Sequence, residues 1–238
     1  MNRPFRARSS AGTDRRRLSD VVRHVVLPRD IATTGWPKVE AQARLCGIEY
    51  DGWQRQLVRC ILGKTSDGMY AAGTGSVVVS ICRQVGKTLL IGTMIVMLCI
   101  LNDYPLKVLW AAHRMRTSDE TFKFMCALVR RKAISRFADG EPRRANGQQE
   151  IVFINGSRIM FGARENGFGC GFDRMNIEVF DEAQILTECA LDDMISATCC
   201  TWSSAPTRTP TLTTADNGPW RIRRIRIAPA SPQSCAWR

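Results

Sequence analysis

Apolar and polar positions alternate at two periods through the middle of the 238-residue chain and then lose any period. Ser76–Ile81 is a run of β-branched residues and reads as a strand. From about Lys87 to Leu101 the chain is apolar almost throughout, too long for a strand, so it reads as a buried helix. That run is short of the roughly 20 residues needed to span a bilayer. Asn102–Pro105 ends it, and Lys107–Ala111 reads as a second strand. Thr117–Arg136 carries Phe122, Met125, Leu128 and Val129 at helical spacing. Ile151–Ile154 and Arg158–Phe161 flank Asn155-Gly156, a strong two-residue hairpin signal. Ile177–Phe180 is another short strand. Strands alternating with helices predict an α/β fold, a mostly parallel sheet flanked by helices.

The flanks read differently. Residues 31–75 predict a small helical lead-in: Trp36-Pro37 breaks the chain, Val39–Leu45 and Trp53–Leu62 are helices, and Asp67-Gly68 and Gly73-Thr74-Gly75 are turns. Residues 1–30 are Arg-rich, with a weak apolar patch at Val21–Leu27, and read as a mobile basic arm. After Ala197 periodicity stops. Residues 198–238 hold seven Thr, five Pro and four Ser, with no Lys or Glu. Ile222–Ile227 has the composition of a basic strand, with nothing around it to support one. The expected organisation is a basic arm (1–30), a lead-in (31–75), a core (76–197) and an irregular tail (198–238).

Composition is that of an ordinary soluble globular protein, 45% hydrophobic and 24% charged. Net charge is +12, which suggests an acidic partner such as nucleic acid. Residues 1–30 carry +5, residues 198–238 another +5, and residues 31–197 only +2. The excess therefore sits outside the patterned segment and says little about it. Ten cysteines include no C-x-x-C pair, and there are two histidines. Free thiols in a reducing compartment are the expectation, with neither a disulfide framework nor a zinc site. The Arg-rich start has no apolar segment of the kind a signal peptide carries.

Two motifs carry chemistry. Ile81-Cys82-Arg83-Gln84-Val85-Gly86-Lys87-Thr88 ends in the G-K-[ST] of a phosphate loop, with Ile81 in place of the first glycine. It lies between an apolar strand and a helix, as that motif requires. Backbone N–H groups at the helix start would face phosphates. Gly86 allows close backbone approach, Lys87 would reach the β- and γ-phosphates, and Thr88 would hold Mg²⁺. Alone, G-K-T is also a chance triplet. Ile177-Glu178-Val179-Phe180-Asp181-Glu182 is an apolar strand ending in two acids. Asp181 would bind Mg²⁺ and Glu182 would polarise the attacking water. Alone, the pair is equally an acidic helix start. Glu178 is a charge inside a strand.

These segments resemble the tailed-phage terminase large subunits. Arg83-Gln84-Val85-Gly86-Lys87-Thr88 is similar to the family's variant phosphate loop, which often lacks the first glycine and carries an Arg inside. Tyr50-Asp51-Gly52-Trp53-Gln54 resembles its adenine-reading Q motif. Trp110-Ala111-Ala112-His113, Asn155-Gly156-Ser157-Arg158-Ile159, Phe161-Gly162-Ala163-Arg164 and Phe180-Asp181-Glu182-Ala183-Gln184 follow in the family's order. The resemblance covers about residues 27–197 and implies the N-terminal ATPase part of such a subunit, a P-loop NTPase of the ASCE type, missing its last strands.

The resemblance implies ATP and Mg²⁺ as cofactors. ATP would be held by Gln54, Arg83, Gln84, Val85, Gly86, Lys87 and Thr88, and metal by Thr88 and Asp181. Glu182 and Arg83 would act in catalysis, Arg83 at the γ-phosphate. Arg83 alone could also be a surface charge, and Trp53-Gln54 a helix surface with one buried ring. The implied partners are double-stranded DNA, a small terminase subunit, a portal and further copies of the chain in a ring. The implied setting is the bacterial host cytoplasm, with a phage or prophage as source.

Two departures stand out. Relatives often read Arg-Gly-Phe where this chain has Cys170-Gly171-Phe172. Cys170 cannot supply a charge to a neighbouring subunit's nucleotide, which leaves Arg164 as a candidate. Beyond Ala197 neither the expected strands nor the carboxylate cluster of a nuclease domain is visible. A truncation or frame change near residues 197–200 accounts for that. A helicase-like translocase is the alternative enzyme, short of room for a second RecA-like domain. An inactive prophage remnant is the non-enzymatic alternative.

Overall fold

The structure, a computed structural model, describes residues 17–71, 77–80, 86–145, 149–164, 168, 175–182, 212–213 and 225–229. Its centre is a mixed sheet. In chain order its strands are β1 (Val22–Val26), β4 (Val77–Val79), β5 (Lys107–Ala112), β6 (Gln149–Val152), β7 (Arg158–Ala163), β8 (Ile177–Phe180), β9 (Leu212–Thr213) and β10 (Ile225–Pro229). Two shorter strands, β2 (Thr33–Thr34) and β3 (Gly63–Lys64), pair separately. The spatial order is β1-β10-β4-β9-β8-β5-β7-β6. The six inner strands run parallel, and β1 and β6 lie antiparallel at the two edges.

The helices are α1 (Leu18–Val21), α2 (Trp36–Leu45), α3 (Gly52–Ile61), α4 (Lys87–Leu101), α5 (Met115–Val129) and α6 (Lys132–Ser135). Residues 17–26, assigned above to a mobile arm, thus form a helical turn and an edge strand. Pro37 does not interrupt structure but opens α2, where its missing N–H is no loss. The single helix expected over Thr117–Arg136 stops at Val129 and resumes at Lys132. The tail read as irregular supplies β9 and β10, which flank β4 on both sides. Part of the suspected basic strand Ile222–Ile227 falls in β10. The reason is geometric: a parallel strand buried between neighbours needs partners on both edges, and pairing partners need not be near in sequence.

Alternation along the strands divides the sheet into two faces. Val77, Val79, Val108, Trp110, Ile159, Phe161, Ile177 and Val179 join one core with α2, α3, α4 and α5. Trp110 stacks on Phe161, ring centroids 6.2 Å apart, and Phe122 of α5 meets the same ring at 5.3 Å. Helix α4 is buried along most of its length and passes close to α5. A methyl group on Gly92 would stand 2.6 Å from the Met125 sulfur. The opposite face gathers Leu109, Ala111, Met160, Phe168, Met175 and Phe180.

The hairpin turn ties the start of β5 to the end of α4. Gly156 has φ 81°, and Asn155 Nδ2 donates to the Cys99 and Asn102 carbonyls at 2.7 and 3.1 Å. Ser157 Oγ accepts the Leu106 N–H at 2.9 Å.

Candidate active site

Parallel strands deliver their C-terminal ends to one rim of the sheet, where ligand crevices form in open α/β folds. At that rim β4 leads toward residues 81–85, and α4 begins beyond them. Gly86 caps α4 at φ 87° and ψ 28°, a left-handed conformation natural to glycine. No Cβ clash accompanies it, so the requirement comes from the backbone angle alone. Lys87 and Thr88 form the first turn of α4, both half-buried. Their helix start presents its first N–H groups and the positive end of the helix dipole toward the rim. Arg83, Gln84 and Val85 lie outside the described residues.

Strand β8 brings Asp181 and Glu182 to the same rim. The Asp181 N–H donates to the Ala111 carbonyl at 2.9 Å, extending the β5–β8 ladder by one bond. Burial raises the Asp181 carboxyl above its usual range. The Glu182 N–H, which donates to Asp181 Oδ1 at 3.1 Å, opposes that rise, as do the positive charges of Lys87 and Arg164. Lys87 and Asp181 are therefore near enough to feel each other's charge. Glu182 adopts φ 54°, the one positive φ outside glycine among the described residues. For a non-glycine residue that costs on the order of 1–3 kcal/mol and persists only where neighbours enforce it.

The donor set suits Mg²⁺. Thr88 and Asp181 are hard oxygen donors, and no cluster of three or more His, Cys, Asp or Glu side chains gathers among the described residues. A magnesium ion commonly takes one or two protein oxygens and completes its shell with phosphates and water.

Gln54 lies half-buried in the first turn of α3. Its Oε1 accepts the Asp51 N–H at 2.9 Å, and the Asp51 side chain accepts the N–H three residues on, a reciprocal capping box. Trp53 is buried, and Tyr50 donates from its hydroxyl to Thr93 Oγ1 at 3.0 Å, joining this segment to α4. The D-x-x-Q spacing before an apolar stripe was a readable sign of that cap. Gln54 thus has a structural task in addition to the adenine contact expected of it.

Arg164 follows β7 directly and turns into its own chain. Nη1 donates to the Ala111 carbonyl at 2.7 Å, and Nη2 to the Asp181 carbonyl at 3.0 Å and the Glu182 carbonyl at 3.4 Å. No sequence spacing announces this, since Arg164 and Asp181 meet only through sheet pairing. On β8 itself, Glu178 is 1% exposed, and neither carboxylate oxygen has a partner among the described residues. Burial pushes its carboxyl up to about 8.

No protein-family model matches the chain, and no curated protein sequence does. Solved structures do. The large terminase of bacteriophage HK97 superposes with a TM-score of 0.58 at 14% identity, over 77% of this chain and 38% of that one. The ATPase domain of the Thermus phage P74-26 large terminase superposes with a TM-score of 0.55 at 12% identity, and a mutant of it with 0.56 at 13%. Each of these two covers 75% of this chain and 70% of the domain. This chain therefore spans well under half of the HK97 protein's length. The described sheet and helices have the P-loop NTPase fold of the ATPase domains of phage large terminases.

Proposed function

We propose that this chain hydrolyses ATP as the ATPase part of a terminase large subunit and that hydrolysis drives packaging of double-stranded DNA into a prohead. The observation that carries this reading is the meeting at one rim of Gly86-Lys87-Thr88 at the start of α4 and Asp181-Glu182 at the end of β8, with Lys87 electrostatically coupled to Asp181. The likeness in fold supports it, as does the ordered set of segments from Tyr50 to Gln184. The reaction is phosphoryl transfer to water, driven by positioning and charge stabilisation rather than by a covalent intermediate.

In this scheme Lys87 and the first N–H groups of α4 bind the phosphates. Thr88 and Asp181 hold Mg²⁺, which when bound neutralises charge on the phosphate oxygens. Glu182 orients and polarises water. Arg83 senses the γ-phosphate, and Gln54 reads adenine with whatever its cap leaves free. The partners are double-stranded DNA, a small terminase subunit, a portal and further copies of the chain in a ring, in the host cytoplasm.

The test is ATP turnover by the purified chain, with and without double-stranded DNA. DNA-stimulated hydrolysis that Lys87→Ala reduces by at least about 10²-fold supports the motor. A folded chain with no Lys87-dependent turnover overturns it and leaves the inactive remnant.

A further inference from the structure

The guanidinium of Arg164 stands where three parallel strands end. Its own strand is β7. Its donors reach the Ala111 carbonyl on β5 and the Asp181 and Glu182 carbonyls just past β8. All three acceptors are main-chain oxygens, so the side chain acts on the path of the backbone. A planar fork of donors can join several carbonyls at once in fixed geometry, which an ammonium on a flexible stem cannot reproduce. One acceptor belongs to Glu182, the residue held at φ 54°. The Asp181 N–H bonds to the same Ala111 carbonyl that Arg164 engages, so the clamp and the last rung of the ladder share an anchor. Arg164 is charged at neutral pH even though burial lowers its pKa to about 10, and Asp181 and Glu182 oppose that fall.

We infer that Arg164 is a positioning residue within its own subunit: it clamps the turn after β8 so that Glu182 faces the water it polarises, and it is not the arginine that reaches a neighbour's nucleotide. This rests on the role of Glu182 proposed above. The clamp itself can be read without any turnover. In hydrogen–deuterium exchange on the full chain, Arg164→Ala should speed exchange of the Asp181 and Glu182 amides by about tenfold, with α4 unchanged. Arg164→Lys should fall between the variant and wild type. Unchanged exchange at both amides overturns the clamp.

Kinetics test its purpose. Arg164→Ala and Arg164→Lys should each lower kcat by about 10²-fold, the usual result of an ångström-scale misplacement, with KM for ATP within about threefold. Millimolar guanidinium should restore part of the Arg164→Ala rate. Mixing Arg164→Ala with Lys87→Ala chains should restore nothing. Recovery on mixing would place Arg164 in trans and overturn the inference, as would a normal kcat. If wild type shows no Lys87-dependent turnover, the proposed function fails, and amide exchange alone decides whether Arg164 is a clamp.

Discussion

The interior of the sheet and its C-terminal rim are built by opposite rules, and β8 crosses from one to the other within five residues. Inside, Val179 and Ile177 pack with Trp110 and Phe161 in a core held by contact area. At the rim, Asp181 and Glu182 sit among Lys87, Arg164 and carbonyl dipoles, where charge is met by charge. Glu178 shows what a carboxylate becomes on the wrong side of that border. It has no cation, no donor among the described residues and almost no exposure, so it holds its proton at neutral pH. Burial raises the carboxyls of both Glu178 and Asp181, but only at Asp181 do a backbone N–H and two cations oppose the rise.

The largest expected effect breaks the rim alone. Glu182→Gln should lower kcat by about 10²–10⁴-fold, the range for loss of a general base. Nucleotide affinity, read by titration with a non-hydrolysable analogue, should stay within about threefold, and Tm should not move. Normal turnover would remove Glu182 from its role.

An intermediate effect tests the interior. Glu178→Met replaces an unpartnered carboxyl with an apolar chain of similar length and should stabilise the fold by about 1–3 kcal/mol near neutral pH. The sign follows from the raised pKa. Glu178 ordinarily titrates near 4.5 and in the fold near 8. Its neutral form is therefore fully compatible with folding below about 4.5, and stability falls as pH rises through 8. Urea melts of both chains across pH 5–9 should diverge with increasing pH. Parallel curves would mean that a partner neutralises Glu178.

The smallest effect concerns Gln54, which serves both regions. Gln54→Glu keeps an acceptor at the capping-box position, so stability should change by less than about 0.5 kcal/mol. It removes the amide donors, so any preference for ATP over GTP in competition assays should shrink. An unchanged preference would leave Gln54 as a cap only.

What was legible beforehand follows from how local each signal is. Helix α4, strand β8 and the hairpin around Asn155-Gly156 are written in contiguous residues, and their predicted bounds differ from the observed ones by at most two residues. That Lys87 opens a helix and that Asp181 and Glu182 follow a strand was legible because short motifs mark those ends. The break between α5 and α6 was hidden by apolar spacing that continues across it. Strand β9 was hidden because two residues leave no period to read, β10 showed only in the composition of Ile222–Ile227, and the pairing of both with β4 is decided by the sheet. The contacts of Arg164 were hidden for the same reason: its partners are neighbours in space only.

The interleaved strand order also sets a timetable. Strand β4 finds its two partners in β9 and β10, and β8 reaches β4 only through β9. A ribosome adding roughly 5–20 residues per second needs on the order of ten seconds to pass from Val79 to Leu212. Throughout that interval the nascent chain carries β4 with open edges, joined from Phe180 onward by β8 with its β9 edge open, the state most exposed to mispairing with other chains. Expression at lowered temperature, or with a holdase chaperone present, should therefore raise the soluble yield more than any stabilisation of the finished core.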